Sequence, residues 1–369
     1  MSGSLLSWFT DYLSSRRQRV VINGISSPWD KVLSGVPQGS VLGPILFILF
    51  INDLPDCLSF SRIAMFADDT KCYNIIRSQD DITHLQHDLQ CISNWALHNE
   101  LSFQPVKCEN LRISRKRNSI DRSYFLNGVK LKTVDASRDL GIFVSKDLHW
   151  ATHINSIIAK ANKMLGFLRR NCYRHLPLDT QRTLYICLVR SHLTYACQVW
   201  SPISSGSLYL MRNLERVQRR ATRLITQNPE LSYKSRLRCL KLLPLCYFYE
   251  YLDLLFLFRC LKGEISINIF QFVNFSTSTT RRGSSGLDLR LLSVRSSTFR
   301  DSFFVRICPV WNSLPINIRS SCSTSAFKLR LKRLYLDRLD STFDVENIRS
   351  WRIICPLCRR SNLLSPCTC

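Results

Sequence analysis

Two adjacent carboxylates and a glycine-punctuated loop are the residues of this chain best suited to chemistry. Asp68-Asp69 lies between the apolar stretch 63–66 and the β-prone stretch 71–76. That pattern predicts two short strands around a tight turn, with both acids at its tip. Anionic oxygens held so close repel one another, so the arrangement is costly unless cations sit between them. Mg2+ prefers carboxylate oxygens and keeps places for water and substrate phosphates. Two such ions can clamp the attacking and leaving oxygens of a phosphoryl transfer. The dipeptide alone does not carry that conclusion. A second one, Asp80-Asp81, opens a helical repeat and reads as a helix cap.

Thirty residues before Asp68 stands Gln38, within Ser34-Gly35-Val36-Pro37-Gln38-Gly39-Ser40 and just ahead of Val41-Leu42-Gly43-Pro44. Gly35 and Gly39 allow backbone conformations and close approaches denied to other residues. The Gln38 amide can meet a base or sugar edge. An ordinary loop running into a helix start is the other reading of this segment.

Together, Gly35-Val36-Pro37-Gln38-Gly39-Ser40-Val41-Leu42-Gly43-Pro44 and Phe66-Ala67-Asp68-Asp69-Thr70-Lys71 closely resemble reverse transcriptases of non-LTR (LINE-like) retrotransposons. The first string is similar to the family's motif B. The second is similar to motif C, with Phe66-Ala67 where retroviral enzymes carry a Tyr-X pair. The resemblance implies an RNA-directed DNA polymerase, with an RNA template, a DNA primer or target and dNTPs as partners. It implies two Mg2+ ions in an intact enzyme, Asp68 as the main metal ligand and Asp69 as its neighbour. Pro37, Gln38, Gly39, Phe66 and Ala67 would then shape the nucleotide and template site.

Further matches run downstream. Leu101-Ser102-Phe103-Gln104-Pro105-Val106-Lys107-Cys108 looks like motif D, which makes Lys107 a proton donor to pyrophosphate. The family usually has Asn near the place of Gln104, and a solvated loop lysine is the other reading. Asp139-Leu140-Gly141-Ile142-Phe143-Val144 looks like motif E, a primer-gripping hairpin at Leu140 and Gly141, or else a plain edge strand. A helix over 153–170 falls where the thumb belongs, and Lys160, Lys163, Arg169 and Arg170 on it can touch phosphates. Val310-Trp311-Asn312-Ser313-Leu314-Pro315 resembles a recurrent C-terminal segment of such elements, with Trp311 read as core. Cys355, Cys358, Cys367 and Cys369 offer a zinc set, or a frayed tail of free thiols.

One part of the family's site is not found. A third Asp, on the earlier strand of motif A, should lie well upstream of the motif B loop. Only Asp11 and Asp30 are acidic before Gly35, and neither sits in a strand-like apolar pattern. Two carboxylates without the third should hold the ions poorly, so this chain alone is expected to polymerise little or not at all. The competing reading is a non-catalytic nucleic-acid-binding remnant that uses the basic thumb and C-terminal region.

The elements that must position these residues read as α+β. Residues 1–147 mix helices and antiparallel strands, as in a partial right-hand polymerase fingers and palm. Residues 148–230 read as a helical thumb, with helices over 153–170, 178–200 and 213–225. Residues 231–340 read as a mostly helical basic region with a linker near 274–286, and 341–369 as a Cys-containing tail. Within the first part, helices are expected through residue 51 and over 80–99. Strands are expected at 19–23, 31–33, 101–103, 111–114, 124–126, 129–131 and 140–144.

Composition bounds the partners. Hydrophobic residues are 45% of the chain, enough for a sizeable core. Residues 1–150 hold 17 basic and 15 acidic side chains, whereas residues 151–369 hold 34 and 12. That asymmetry points to a polyanion, most simply nucleic acid. No secretory signal and no membrane span are read. The apolar run 41–51 is short and holds Gly43 and Pro44, and 243–258 carries Glu250 and Asp253. Sixteen cysteines then read as mostly free thiols in a reducing compartment, cytoplasm or nucleus. Protein partners are not indicated.

Overall fold

The computed structural model describes residues 2–37, 39–114, 122–172, 176–202, 205–276, 286–294 and 296–354. The chain forms two compact units, Met1–Asp135 and Ala136–Cys369. The boundary between them falls after Asp135. Both mix helices with short strands, so the α+β reading holds.

The first unit opens with α1 (Gly3–Leu13). Four two-residue strands follow. β1 (Arg17–Gln18) pairs antiparallel with β4 (Asp30–Lys31), and β2 (Val21–Ile22) with β3 (Ile25–Ser26). Asn23 and Gly24 join β2 to β3 with φ of 50° and 83°, the left-handed pair that a tight hairpin turn needs. The strand expected at 31–33 is observed at Asp30–Lys31 and pairs with β1, while the chain returns from the Asn23-Gly24 turn in β3. α2 (Gly43–Ile51) starts where the Gly43 N–H donates to Ser40 Oγ at 3.0 Å, with Pro44 in its first turn. It is apolar on every face, yet Ile45, Ile48, Leu49 and Phe50 are exposed.

A short 3-10 turn, Leu54–Cys57, leads to the hairpin of β5 (Arg62–Phe66) and β6 (Asp69–Tyr73). Next comes α3 (Gln79–His98), whose start is a capping box. Asp81 N–H donates to Ser78 Oγ, and the Asp81 carboxylate accepts from Ser78 N–H. The Arg77 N–H, the Ser78 N–H and the Ser78 hydroxyl all donate to the Asp81 carboxylate and hold its pKa below the usual value. The helix expected over 80–99 forms, with Ile82, Ile92 and Ala96 buried along one face. Ile82 packs with Tyr124, Leu126 and Leu131, and Leu85 and Leu89 flank them, in a small core. Gln86 adds two 2.9 Å hydrogen bonds to the Phe125 backbone. That residue begins β8 (Phe125–Leu126), which turns at Asn127-Gly128 into β9 (Val129–Lys130).

No strand forms at 101–103. The chain there runs into a 3-10 turn, Pro105–Lys107, because Pro105 offers no N–H to a ladder. β7 (Glu109–Leu111) pairs parallel with β10 (Lys132–Val134). The single antiparallel palm sheet is therefore not what forms. Among the described residues there are six separate two-stranded pairs, one of them parallel. Strands of two to five residues bury too little apolar surface to assemble further.

The second unit begins with the hairpin of β11 (Ala136–Asp139) and β12 (Ile142–Ser145) and continues into α4 (Ala151–Asn171). The sequence predicts one helix over 178–200, and the structure breaks it. α5 (Leu178–Leu184) passes through a π-helical stretch, Tyr185–Arg190, into α6 (Ser191–Thr194), and α7 (Cys197–Trp200) follows a break at Ala196, whose φ is 49°. The Trp200 indole N–H donates to Tyr195 O at 2.8 Å across that break. α8 (Leu208–Thr226), α9 (Tyr233–Cys239) and α10 (Leu245–Leu261) come next, then α11 (Ser297–Arg300), α12 (Phe303–Asn312), α13 (Ile316–Arg319) and α14 (Thr324–Ser341).

α10 is buried almost all round, as a helix with no polar stripe must be. Its acids are matched internally. Asp253 pairs with Arg306 at 2.9 Å, and Glu250 accepts the Ile353 N–H at 3.0 Å. Trp311 is core, its N–H bonded to Leu287 O at 2.9 Å. Of the expected linker, residues 277–285 lie outside the described residues, while Phe275 is bridged to Leu289.

His153 fixes a pH dependence. Its Nδ1 accepts the Phe143 N–H at 3.3 Å, and its ring packs against Trp200. Burial, with help from the Lys160 charge, pushes its pKa from 6.5 down to about 4. The unfolded chain then binds the proton more readily than the folded one. The second unit should lose stability as pH falls through 6.5 toward 4. Denaturant titrations at pH 7 and pH 5 check this, and His153→Gln, which still accepts but does not titrate, should flatten that part of the slope.

Candidate active site

The turn between β5 and β6 consists of Ala67 and Asp68, and Asp69 is already the first residue of β6, paired with Phe66. The acids therefore do not share the tip, as the sequence predicts; one sits in the turn and the other in the ladder. Ala67 takes φ of 51°, a left-handed conformation that costs a residue with a Cβ about 1–2 kcal/mol. Asp68 and Asp69 are exposed, as is Phe66. Among the described residues neither acid is in an ion pair. Nor does a third carboxylate, His or Cys come within ligand reach of the pair.

Gln38 lies outside the described residues, so the loop is read from its flanks. Gly35 and Gly39 both adopt φ of 77°, with open space where a Cβ would be. Arg16 donates to Gly35 O and ties the loop to the end of α1. Pro37 is half-buried and Gly39 exposed. Lys107 is exposed at the end of its 3-10 turn, and no hydrogen bond or ion pair joins it to Asp68 or Asp69 among the described residues.

In the second unit, Leu140 and Gly141 form the β11–β12 turn with φ of 44° and 87°. Tyr195 Oη donates to Leu140 O at 3.0 Å, and a Cβ on Gly141 would stand 3.4 Å from the Tyr195 ring. Tyr195, next to the break at Ala196, thus braces this turn. On α4, Ile154, Ile157, Ala161, Leu165 and Leu168 face inward, and Lys160, Lys163, Arg169 and Arg170 are exposed. Cys355, Cys358, Cys367 and Cys369 lie outside the described residues.

The basic helix expected over 213–225 presents a second basic face, whose individual side chains the sequence does not single out. α8 carries five arginines and one acid, Glu215. Arg212, Arg216, Arg220 and Arg223 are exposed, and none is in an ion pair among the described residues. Glu215 points inward, where it accepts from Tyr233 Oη and from Leu245 N–H. Arg220 donates to Asn162 Oδ1 of α4 at 2.8 Å, which joins the exposed edges of the two helices. A signal for this face does exist in the sequence: a helix with arginines at i, i+4 and i+8 lacks the interleaved acids of a merely solvated face.

Residues 3–166 match the reverse transcriptase (RNA-dependent DNA polymerase) family. This region belongs to the reverse transcriptase family. The match runs from α1 into α4, through both acids, Lys107 and the Leu140-Gly141 turn. Curated relatives agree. The chain is 26% identical over 222 residues to a probable RNA-directed DNA polymerase from transposon X-element of Drosophila melanogaster. It is 28% identical over 233 residues to the RNA-directed DNA polymerase from mobile element jockey of Drosophila funebris. Each alignment covers 58% of this chain and 24% of the relative. The chain thus spans about a quarter of the length of these curated relatives. No solved structure matches it. No helix among the described residues is long and apolar enough to cross a membrane.

Gly141→Ala tests the braced turn. It forces a Cβ into a left-handed conformation against Tyr195 and should destabilise the second unit by about 1–2 kcal/mol. Urea unfolding monitored by far-UV circular dichroism reads the change, and Gly141→Asn should cost less than Ala.

Proposed function

We propose that the first unit and the start of the second are part of the catalytic body of an RNA-directed DNA polymerase. The observation that carries this reading is the hairpin 62–73, which presents Asp68 and Asp69 in the open at one end of a ladder, inside the family match. Exposed, unpaired carboxylates suit hard divalent cations, and Mg2+ is the fitting one because only oxygens are offered. Asp68 and Asp69 would hold it. Bound there, it would neutralise charge on the transferred phosphate. Pro37, Gln38 and Gly39, with Phe66 and Ala67, would border the incoming nucleotide. Lys107 would deliver a proton to pyrophosphate. Leu140 and Gly141 would bring backbone against the primer, and Lys160, Lys163, Arg169 and Arg170 would hold duplex phosphates as a thumb.

Two acids leave the cations short of ligands. This chain should therefore extend a primed RNA template weakly or not at all in Mg2+. Robust synthesis that Asp68→Ala abolishes would show that the two acids suffice. Synthesis unchanged by both Asp68→Ala and Asp69→Ala would remove the polymerase assignment of the hairpin.

A second reading has its own support. α8 lies beyond the family match, and its exposed face holds arginines with no acid among them. Arginine suits phosphate because its planar fork donates two parallel hydrogen bonds. Nucleic-acid binding by α4 and α8 needs no catalysis. Binding of an RNA–DNA duplex should weaken steeply with salt. Replacing Arg212, Arg216, Arg220 and Arg223 by Gln should lower the log–log salt slope by about 0.9 for each phosphate that is no longer neutralised. The slope should not respond to Asp68→Ala.

A further inference from the structure

α3 carries a set of ligand-type side chains that the polymerase reading does not use. His87, Asp88 and Cys91 lie within two turns. At 3.6 residues per turn, position 91 projects between positions 87 and 88, so the three side chains converge. His87 Nδ1 is 3.6 Å from Asp88 Oδ1 and 3.8 Å from Cys91 Sγ. All three ligand atoms lie within 4.8 Å of one another. Bonds of about 2.0–2.3 Å to a tetrahedral zinc ion place neighbouring ligand atoms about 3.3–3.8 Å apart. Both distances from His87 already have that length.

The carboxylate is held in place for this. Asp88 is fully buried and accepts the N–H groups of Ser59 at 3.0 Å, Phe60 at 3.0 Å and Ser61 at 2.6 Å. Burial opposes its charge, but those hydrogen bonds outweigh burial and keep the carboxyl below its usual pKa. Of the three backbone N–H groups, only that of Ser59 falls on Oδ1, the oxygen that stands 3.6 Å from His87 Nδ1. Outer hydrogen bonds of this kind fix the aim of a metal-ligating carboxylate. Phe60 meets the His87 ring edge-on at 5.8 Å, and the 56% exposure of the His87 side chain leaves a path from solvent. A water can complete the shell.

We infer that His87, Asp88 and Cys91 form a binding site for a late first-row divalent cation, Zn2+ foremost, that pins the loop 58–61 to α3. A nitrogen, sulfur and oxygen set selects such an ion and rejects Mg2+, which the oxygen-only pair Asp68 and Asp69 would favour. On binding, the Cys91 thiol loses its proton to solvent and the thiolate enters the metal shell. His87 binds as the neutral ring.

Co2+ serves as the visible probe and Zn2+ as its competitor, on the full chain with Cys355, Cys358, Cys367 and Cys369 changed to Ser so that those thiols do not report. One equivalent of Co2+ should give thiolate charge-transfer and tetrahedral d–d bands, bleached by Zn2+. Cys91→Ser should remove the charge-transfer band, and it and His87→Gln should each weaken Co2+ at least about tenfold. Zn2+ should raise the thermal midpoint of the parent and of Asp68→Ala, but not of Cys91→Ser. No band in the tail-substituted chain, or a band that survives Cys91→Ser, overturns the site. Neither result touches the polymerase reading, which primer extension tests separately.

Discussion

The helical unit depends on how one acid is buried. Glu215 sits on α8 facing inward, accepts from Tyr233 of α9 and from the Leu245 N–H that opens α10, and lies beside Gln218. Burial pushes its pKa up, and the Tyr233 and Leu245 bonds work against that rise. Three helices are thereby tied through a single carboxyl group. Gln218 extends the network to Tyr185 Oη at 2.9 Å and to Leu243 O at 3.0 Å. Removing any member would strand buried donors and acceptors, each costly to leave unmet. The same inward turn also strips the outer face of α8 of negative charge. Cohesion inside and attraction for polyanions outside are thus set by one side-chain orientation.

The first unit is organised differently. Its apolar residues gather in one small cluster around Ile82, Tyr124, Leu126 and Leu131, and much else that is apolar stays in water. Polar anchors carry more of the burden: the Ser78–Asp81 capping box, Gln86 on the Phe125 backbone, and Asp88 under the loop 58–61. Anchors of this sort fix local geometry but add little to global stability, since each replaces hydrogen bonds to water. Acids placed in the open on such a support are available to cations and poorly protected from rearrangement.

Sequence alone makes the strongly periodic elements legible. α3 and α4 can be read nearly to their ends, because their apolar residues recur at helical spacing over five or more turns. The Asn23-Gly24 and Asn127-Gly128 turns announce themselves by residue type. The stretch 178–200 misleads because its break rests on Tyr195, which reaches back to the Leu140 turn, an interaction no local pattern encodes. The parallel pairing of β7 with β10 is likewise long-range. At the site, the acids and the glycine loop are legible from motif. That Asp69 belongs to the ladder is not, because a two-residue turn can slip by one position without changing the pattern. Asp88 stays hidden because a buried acid among α3's polar residues looks like any solvated one.

α2 has a consequence for where the molecule opens. The helix is nine residues long, shorter than the 12–15 or so at which isolated helices become even marginal in water. Four of its apolar side chains reach solvent, so packing does little to hold it. Its amide protons should trade with deuterated solvent within the fastest class of the chain. Those of α10, closed in on nearly all sides, would wait for the whole helical unit to come apart. Solvent exchange would thus grade the molecule from a soft front half to a slow core built on Tyr247, Leu254 and Leu257.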